Sequence, residues 1–154
     1  MLDNQNIFYR KKILVYGLGK SGLSTFKFLK KESEIYLFDD KKKISNNREI
    51  KKNLINHQKL LKSKFDCIII SPGIDINKCS LKKYLKKNLK KIYTDLDIFF
   101  SSYVKNKKIT ITGTNGKSTT TRILYEVLRD QNFDVRIVGN IGNPILLEKD
   151  ITSK

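Results

Sequence analysis

One segment near the N-terminus, residues 12–40, strongly restricts the fold that this chain can adopt. Its sequence, KILVYGLGKSGLSTFKFLKKESEIYLFDD, begins with a short apolar run at residues 13–16 that is followed by a glycine turn. Apolar residues then recur at helical spacing as far as Leu29, and a second apolar run occupies residues 35–38. A strand, a helix and a strand within about 30 residues form a βαβ unit, which requires a parallel sheet.

The glycine turn, GLGKSG at residues 17–22, has the pattern of a phosphate-binding turn, G-x-G-x-x-G. Small residues such as Gly19 let the backbone approach phosphate oxygens, and the helix that follows offers unpaired N–H groups. Asp39 comes about 20 residues after the turn, where a ribose-binding acid is expected. These features suit NAD, but any diphosphate ligand, including a nucleotide sugar, would satisfy them. A tight turn without a ligand also fits.

The rest of the chain predicts more α/β structure. We expect strands at residues 66–71, 92–93, 107–114 and 133–140, and helices around residues 58–63, 81–89, 95–105 and 118–130. This pattern gives a first α/β domain at residues 1–93 and a second at residues 94–154. Because the second has only two predicted strands and one clear helix, it is too small to bury a core alone. We therefore expect it to be the truncated start of a larger domain.

A second phosphate-binding pattern lies in ITITGTNGKSTTTRIL, residues 109–124. The usual P-loop, G-x-x-x-x-G-K-[ST], would place its first glycine at position 111, which is Ile111 here. The leading glycine is instead Gly113, so the loop is two residues shorter. Gly113 and Gly116 permit a tight turn and a close approach to a ligand.

The polar residues of this loop favour ATP as its ligand. Lys117 can pair with the β- and γ-phosphates, and the Ser118 hydroxyl can hold Mg²⁺. Thr119 begins the helix and can contact phosphate beside them, and Thr114 and Asn115 complete the loop. A nicotinamide-dependent dehydrogenase has no use for such a loop.

Composition excludes several classes of protein. The formal net charge is +17, but the lysines are spread along the whole chain without an RNP-like, zinc-finger or basic-zipper pattern. We therefore expect solvated lysine faces and no specific nucleic acid partner.

No apolar run approaches the roughly 20 residues that cross a bilayer, and the N-terminus lacks a signal-peptide pattern. Two cysteines make a weak case for a disulfide. These features predict a cytoplasmic protein without a membrane partner. We also expect a monomer.

The segment ITGTNGKSTTT resembles the ATP-binding signature of the Mur ligases, whose phosphate loop is shortened in the same way. VYGLGKSGLS, ISPGI, TDLDIFF and VGNIGNP also follow one another in the order expected of the family branch that adds D-glutamate. The resemblance implies a Rossmann-like, parallel-sheet first domain. It also implies a P-loop-type, ATP-binding α/β central domain.

In that family the first domain holds the uridine diphosphate of the substrate instead of NAD. The implied substrate-binding residues are Gly19, Lys20 and Ser21 at the diphosphate, Asp39, Asp40 and Lys41 near the uridine, and Ser71, Pro72 and Gly73, which complete the pocket. Asn140 resembles the residue that reaches the substrate from the second domain. Lys20 and Asp40 depart from the apolar residue and the threonine that are commoner in the family.

The implied reaction joins UDP-N-acetylmuramoyl-L-alanine to D-glutamate at the expense of ATP, with Mg²⁺, in peptidoglycan synthesis. The alanyl carboxylate attacks the γ-phosphate, and the amine of D-glutamate then attacks the resulting acyl phosphate. Lys117 is the implied catalytic residue because it would stabilise charge on the transferred group. The family's remaining acidic metal ligand, modified lysine, histidine and C-terminal domain would follow Lys154. We therefore expect a fragment that is inactive alone.

Three other interpretations fit parts of the sequence. The first is a noncatalytic nucleotide-binding module, or one half of a split ligase. The second is a nicotinamide oxidoreductase, which rests on the first glycine turn alone. The third is a basic nucleic-acid binder, which rests on the net charge alone.

Overall fold

The computed structural model describes residues 6–41, 47–139 and 142–148. The chain divides into two compact units, residues 1–104 and residues 105–154. The first unit contains a parallel sheet. Its strands are β1 (Lys12–Tyr16), β2 (Glu34–Phe38), β3 (Cys67–Ile70) and β4 (Ile92–Tyr93).

Helices connect these strands. The first unit contains α1 (Lys20–Leu29), α2 (Arg48–Asn53), α3 (His57–Lys62), α4 (Lys82–Lys87) and α5 (Asp95–Ser102), with a 3₁₀ turn at Leu89–Lys91. The strand order is β2-β1-β3-β4, and every pairing is parallel. The predicted α/β fold with a Rossmann-like parallel sheet is therefore confirmed.

The middle of the sheet is buried because its strands are apolar on both faces. Leu14 of β1 pairs with Tyr36 on one side and with Ile68 on the other, and Leu14 and Ile68 are fully buried. Strands covered by helices on both faces have continuous apolar runs instead of alternating ones. This explains why ILVY and CIII gave clear strand predictions from sequence.

The path of the chain creates a crevice at the end of β1. From β1 the chain crosses to β2 on one side, and later returns to β3 on the other side. In open α/β sheets, ligands bind at the carboxyl ends of the strands where the order reverses in this way. The glycine turn follows β1 directly, and Ser71 follows β3, so both lie at this point.

Two short helices occupy the region between β2 and β3. α3 confirms the helix predicted around residues 58–63. The sequence analysis missed α2, although Asn47 caps it by accepting hydrogen bonds from the N–H groups of Glu49 and Ile50. An Asn before an amphipathic turn is a recognisable start signal for a helix.

In the second unit, α6 (Lys117–Asp130) confirms the predicted helix, and a 3₁₀ turn covers Ile145–Leu147. The predictions of strands at residues 107–114 and 133–140 are wrong for the described residues. The one pairing there is an isolated parallel bridge between Val138 and Asn143. A strand needs a neighbouring strand to satisfy its N–H and C=O groups, and no ladder pairs with these segments in the part of the chain that the structure describes.

α5 belongs to the first compact unit, because the clustering of contacts places residues 1–104 together. α5 contacts α1 and β4 within that unit. Its N-terminus is fixed by a capping box between Thr94 and Asp97.

Across the described ranges, no helix combines the length and the apolar character needed to span a bilayer.

Two adjacent leucines of α3 provide a matched test of the core. Leu60 is fully buried, whereas Leu61 is 47% exposed. We expect Leu60→Ala to lower the free energy of unfolding by about 2–5 kcal/mol, because it leaves a cavity. Leu61→Ala should lower it by less than about 1 kcal/mol. Urea denaturation followed by circular dichroism measures both values, and equal losses would contradict this packing.

Candidate functional site

Backbone hydrogen bonds hold the glycine turn against the ends of the neighbouring strands. The Gly17 N–H donates to the Phe38 carbonyl at the end of β2 over 2.9 Å. On the other side, the Ser71 N–H donates to the Tyr16 carbonyl over 3.0 Å, and the Ser71 hydroxyl donates to the Gly17 carbonyl over 2.9 Å. The turn is thus fixed to both strands that flank β1.

The two sides of this turn differ in the space around them. A Cβ atom added at Gly22 would overlap the Gly17 carbonyl oxygen and would lie 3.0 Å from the Ser71 Oγ. A Cβ atom added at Gly19 would meet no atom within 4 Å. Gly22 therefore packs α1 against the strand ends, while the Gly19 side stays open for a ligand to approach.

The start of α1 offers N–H groups to such a ligand. Gly19 is the N-cap residue and carries no side chain that could accept from them. The first N–H groups of a helix have no partner inside the helix and carry partial positive charge. Lys20 is exposed beside them. This combination suits an anion such as a diphosphate.

The carboxylate of Asp39 is engaged with the backbone of the turn. Its Oδ2 accepts from the Leu18 N–H over 2.6 Å, and its Oδ1 accepts from the Lys41 N–H over 2.8 Å. Asp39 therefore ties the end of β2 to the glycine turn. A contact from Asp39 to a ribose or a uridine stays a prediction.

Asp40 is at the centre of a second network, which the sequence analysis missed. Its Oδ2 accepts from the Tyr16 hydroxyl over 2.5 Å, and its Oδ1 accepts from the Ser80 hydroxyl. Burial alone would raise the pKa of Asp40, but hydrogen bonds from Ser80 and Tyr16 outweigh it and lower the pKa. Burial and the bond to Asp40 raise the pKa of Tyr16. Asp40 thus joins β1 to the loop around Ser80.

The remaining predicted substrate-binding residues lie at the same edge of the sheet or outside the described residues. The Ser21 hydroxyl, at the start of α1, donates to Asp95. Pro72 and Gly73 are exposed in the turn after β3, and Lys41 is exposed after β2. Asn140 falls outside the described residues. Gly19 to Ser21, Asp39 to Lys41 and Ser71 to Gly73 therefore share the carboxyl edge of the sheet, because each group directly follows a strand.

The second candidate site is the loop before α6. Gly116 is the N-cap of α6 and has a φ of +74°, a left-handed conformation that favours glycine. The Lys117 ammonium group folds back and donates to the carbonyl oxygens of Gly113 and Thr114, the latter over 3.1 Å. The loop thus surrounds a lysine ammonium group beside the N-terminus of a 14-residue helix.

The hydroxyl oxygen of Ser118 in this loop fits Mg²⁺ as a ligand. Ser118 is exposed at the first turn of α6, next to Lys117. Within the described ranges, no cluster of three or more His, Cys, Asp or Glu residues could hold a metal ion. Mg²⁺ usually keeps several waters and takes only one or two protein oxygens, with substrate phosphates as further ligands. A single serine hydroxyl beside a phosphate site therefore fits this ion.

A lysine-rich groove lies at the opposite edge of the first unit's sheet. It encloses about 410 Å³ and is lined by Lys62, Lys64, Lys83, Lys87 and Lys91 with Tyr84 between them. Residues 61–64 precede β3, so the groove lies at the amino ends of the strands. Because ligands of open α/β sheets bind at the carboxyl ends, the glycine turn is the better candidate site.

Two of the three glycines of the turn, Gly22 and Gly19, allow stability and ligand binding to be tested separately. We expect Gly22→Ala to lower the free energy of unfolding by about 1–3 kcal/mol or more, because its methyl group overlaps the Gly17 carbonyl. Gly19→Ala should leave stability nearly unchanged, since its methyl group meets open space. It should nevertheless weaken the binding of a diphosphate ligand. Urea denaturation and calorimetry with UDP measure the two effects, and a stable Gly22→Ala variant would contradict the packing.

Two family models match this chain, and each matched range contains one of the two candidate sites. Residues 11–92 match the family model described as Mur ligase MurD-like, N-terminal domain, and residues 111–154 match the Mur ligase middle domain. The first match contains the glycine turn, Asp39 and Ser71. The second contains the loop before α6.

Curated relatives match along nearly the whole chain. The UDP-N-acetylmuramoylalanine–D-glutamate ligase of Rickettsia prowazekii is 34% identical over 150 residues, which cover 94% of this chain and 33% of the relative. Enzymes of the same name from the Wolbachia of Brugia malayi and from Caldicellulosiruptor bescii are 37% and 34% identical, covering 93% and 88% of this chain.

These matches cover 30% and 32% of the Wolbachia and Caldicellulosiruptor enzymes. The chain therefore spans about a third of the length of the curated relatives it matches. On its sequence and its parallel sheet, this chain belongs to the Mur ligase family, with a MurD-like N-terminal domain followed by a segment of the middle domain.

Proposed function

We propose that this chain carries two nucleotide-binding parts of an ATP-dependent ligase that adds D-glutamate to UDP-N-acetylmuramoyl-L-alanine. The relatives named above are ligases for this step by name. In this proposal, residues 1–93 form the domain that binds the UDP-linked substrate, and residues 94–154 belong to the ATP-binding domain. The activity would serve cytoplasmic synthesis of peptidoglycan precursors.

The open side of the glycine turn is the observation that carries the first half of the proposal. The turn lies where the strand order reverses, and of its three glycines only Gly19 has open space around it. The first N–H groups of α1, which have no partner within the helix, and the exposed Lys20 lie beside it. A diphosphate placed there would accept hydrogen bonds from these groups. The uridine would then lie toward residues 39–41 and residues 71–73.

The loop before α6 supports the second half. Gly113 to Thr119 would wrap around the β- and γ-phosphates of ATP, with Lys117 pairing with them and Thr119 contacting phosphate from the first helical turn. Lys117 donates to the carbonyl oxygens of Gly113 and Thr114. A phosphate would compete with these carbonyls for the ammonium group, because both partners of the new hydrogen bond would carry a charge. The Ser118 hydroxyl would hold Mg²⁺, which supplies charge neutralisation at the phosphates.

The proposed reaction has two steps. A carboxylate oxygen of the alanyl group attacks the γ-phosphorus, the bond to the β–γ bridging oxygen breaks, and ADP leaves. The amine of D-glutamate then attacks the acyl carbon, phosphate leaves, and the amine loses a proton as the amide forms. Residues of this chain would mainly orient the two nucleotides, while Lys117 stabilises charge on the transferred phosphoryl group.

Calorimetry with single nucleotides tests the assignment of the two sites. We expect UDP and ATP each to bind the chain, and NAD to bind more weakly than UDP. Heat with NAD but with neither UDP nor ATP would contradict the proposal and support a nicotinamide site.

Lys117→Ala is the sharpest variant for the second site. It should weaken ATP binding by about tenfold or more, because a charge-assisted contact to phosphate is lost. UDP binding should be unchanged. Lys107→Ala is the control, since it removes the same charge from an exposed position in the same unit. Equal losses in both variants would show that ATP binding depends on net charge and would contradict a specific role for Lys117.

A further inference from the structure

At the proposed diphosphate site, the Ser21 hydroxyl donates its hydrogen bond to a carboxylate of the protein. Ser21 is the second residue of α1, and Asp95 is the first residue of α5. The Ser21 Oγ donates to the Asp95 Oδ2 over 2.5 Å, and both residues are half-buried. The carboxylate of Asp95 therefore lies beside the turn where a diphosphate would bind.

A serine hydroxyl has a single proton to donate. While that proton points at Asp95, the hydroxyl presents only its lone pairs to other groups. Phosphate oxygens are acceptors, so they would meet these lone pairs unfavourably. Because the Asp95 carboxylate and a phosphate are both ionised acceptors, the bond from Ser21 to Asp95 is of the same charge-assisted kind as a bond to phosphate and competes with it.

The N-terminus of α5 does not require Asp95 as its capping residue. Asp97 already accepts hydrogen bonds from the N–H and the hydroxyl of Thr94, over 2.7 and 2.8 Å. Among the described residues, no ion pair involves Asp95. Within the described residues, the side-chain hydrogen bond that the structure shows for Asp95 is the one from Ser21.

We propose that Asp95 is a positioning residue that competes with an incoming diphosphate for the hydrogen bond of the Ser21 hydroxyl. Binding of the diphosphate requires the Ser21 hydroxyl to leave Asp95 and to turn toward a phosphate oxygen. Asp95 therefore weakens the affinity of the site for the diphosphate group and leaves the affinity for the nucleoside unchanged. This inference rests on the proposed function of the glycine turn.

Calorimetry on the full chain tests the inference with UDP and with uridine. Asp95→Asn should bind UDP about tenfold more tightly than the unchanged chain, because it turns a charge-assisted bond to Ser21 into a neutral one. Uridine binding should not change. Asp95→Ala keeps the Thr94–Asp97 capping box and should tighten UDP binding in the same direction. It serves as the second variant if Asp95→Asn folds poorly, as judged by its melting temperature.

Two controls distinguish an effect that acts through the Ser21 hydroxyl from a general effect of removing a negative charge near the site. Asp97→Asn removes the same charge from the same helical turn without contacting Ser21, and it should tighten UDP binding much less. In a chain that carries Ser21→Ala, Asp95→Asn should have no larger effect than Asp97→Asn. Equal tightening by the two Asn variants, or tightening that persists without Ser21, would overturn the inference.

The failure of this inference is distinguishable from the failure of the proposed function. If UDP binds the unchanged chain and Asp95→Asn binds it no more tightly, only the role of Asp95 is overturned. If UDP binds none of the variants, the diphosphate site itself is overturned, and the role of Asp95 fails with it.

Discussion

The packing of Gly22 against the carbonyl of Gly17 is the contact on which the rest of the first unit depends. It brings α1 so close to the end of β1 that no side chain fits between them. Ser71 then reaches the same carbonyl from the end of β3. These contacts fix the N-terminus of α1 at the crevice where the strand order reverses. The Gly19 side is then the open side of the turn.

Acidic side chains around this contact accept hydrogen bonds from other groups of the protein. Asp39 accepts from two backbone N–H groups, and Asp40 accepts from Tyr16 and Ser80. Asp95 holds the Ser21 hydroxyl. The edge of the sheet thus combines a fixed carboxylate frame with unpaired N–H groups at the start of α1. In our proposal, the N–H groups at the start of α1 attract an incoming diphosphate, and the diphosphate competes with Asp95 for the hydrogen bond of the Ser21 hydroxyl.

The sequence predicted the first unit well because local patterns determine it. Continuous apolar runs marked β1 and β3, and the glycine spacing located the turn before α1. The bonds that join Ser80 to Asp40 and Asp95 to Ser21 span 40 and 74 residues, so no local pattern reveals them. The strand predictions in the second unit failed for another reason. A β-branched run such as ITIT favours extended structure, but only a neighbouring strand can complete a ladder.

The central claim is that the glycine turn binds a uridine diphosphate while the loop before α6 binds a triphosphate. Two-dimensional NMR of the ¹⁵N-labelled chain tests it most directly, since each backbone N–H reports on its own site. We predict that UDP shifts the signals of residues 17–22, and that ATP shifts those of residues 113–119. Shifts from UDP at the lysine-rich groove with none at residues 17–22, or shifts from both nucleotides at one shared set of residues, would contradict the account.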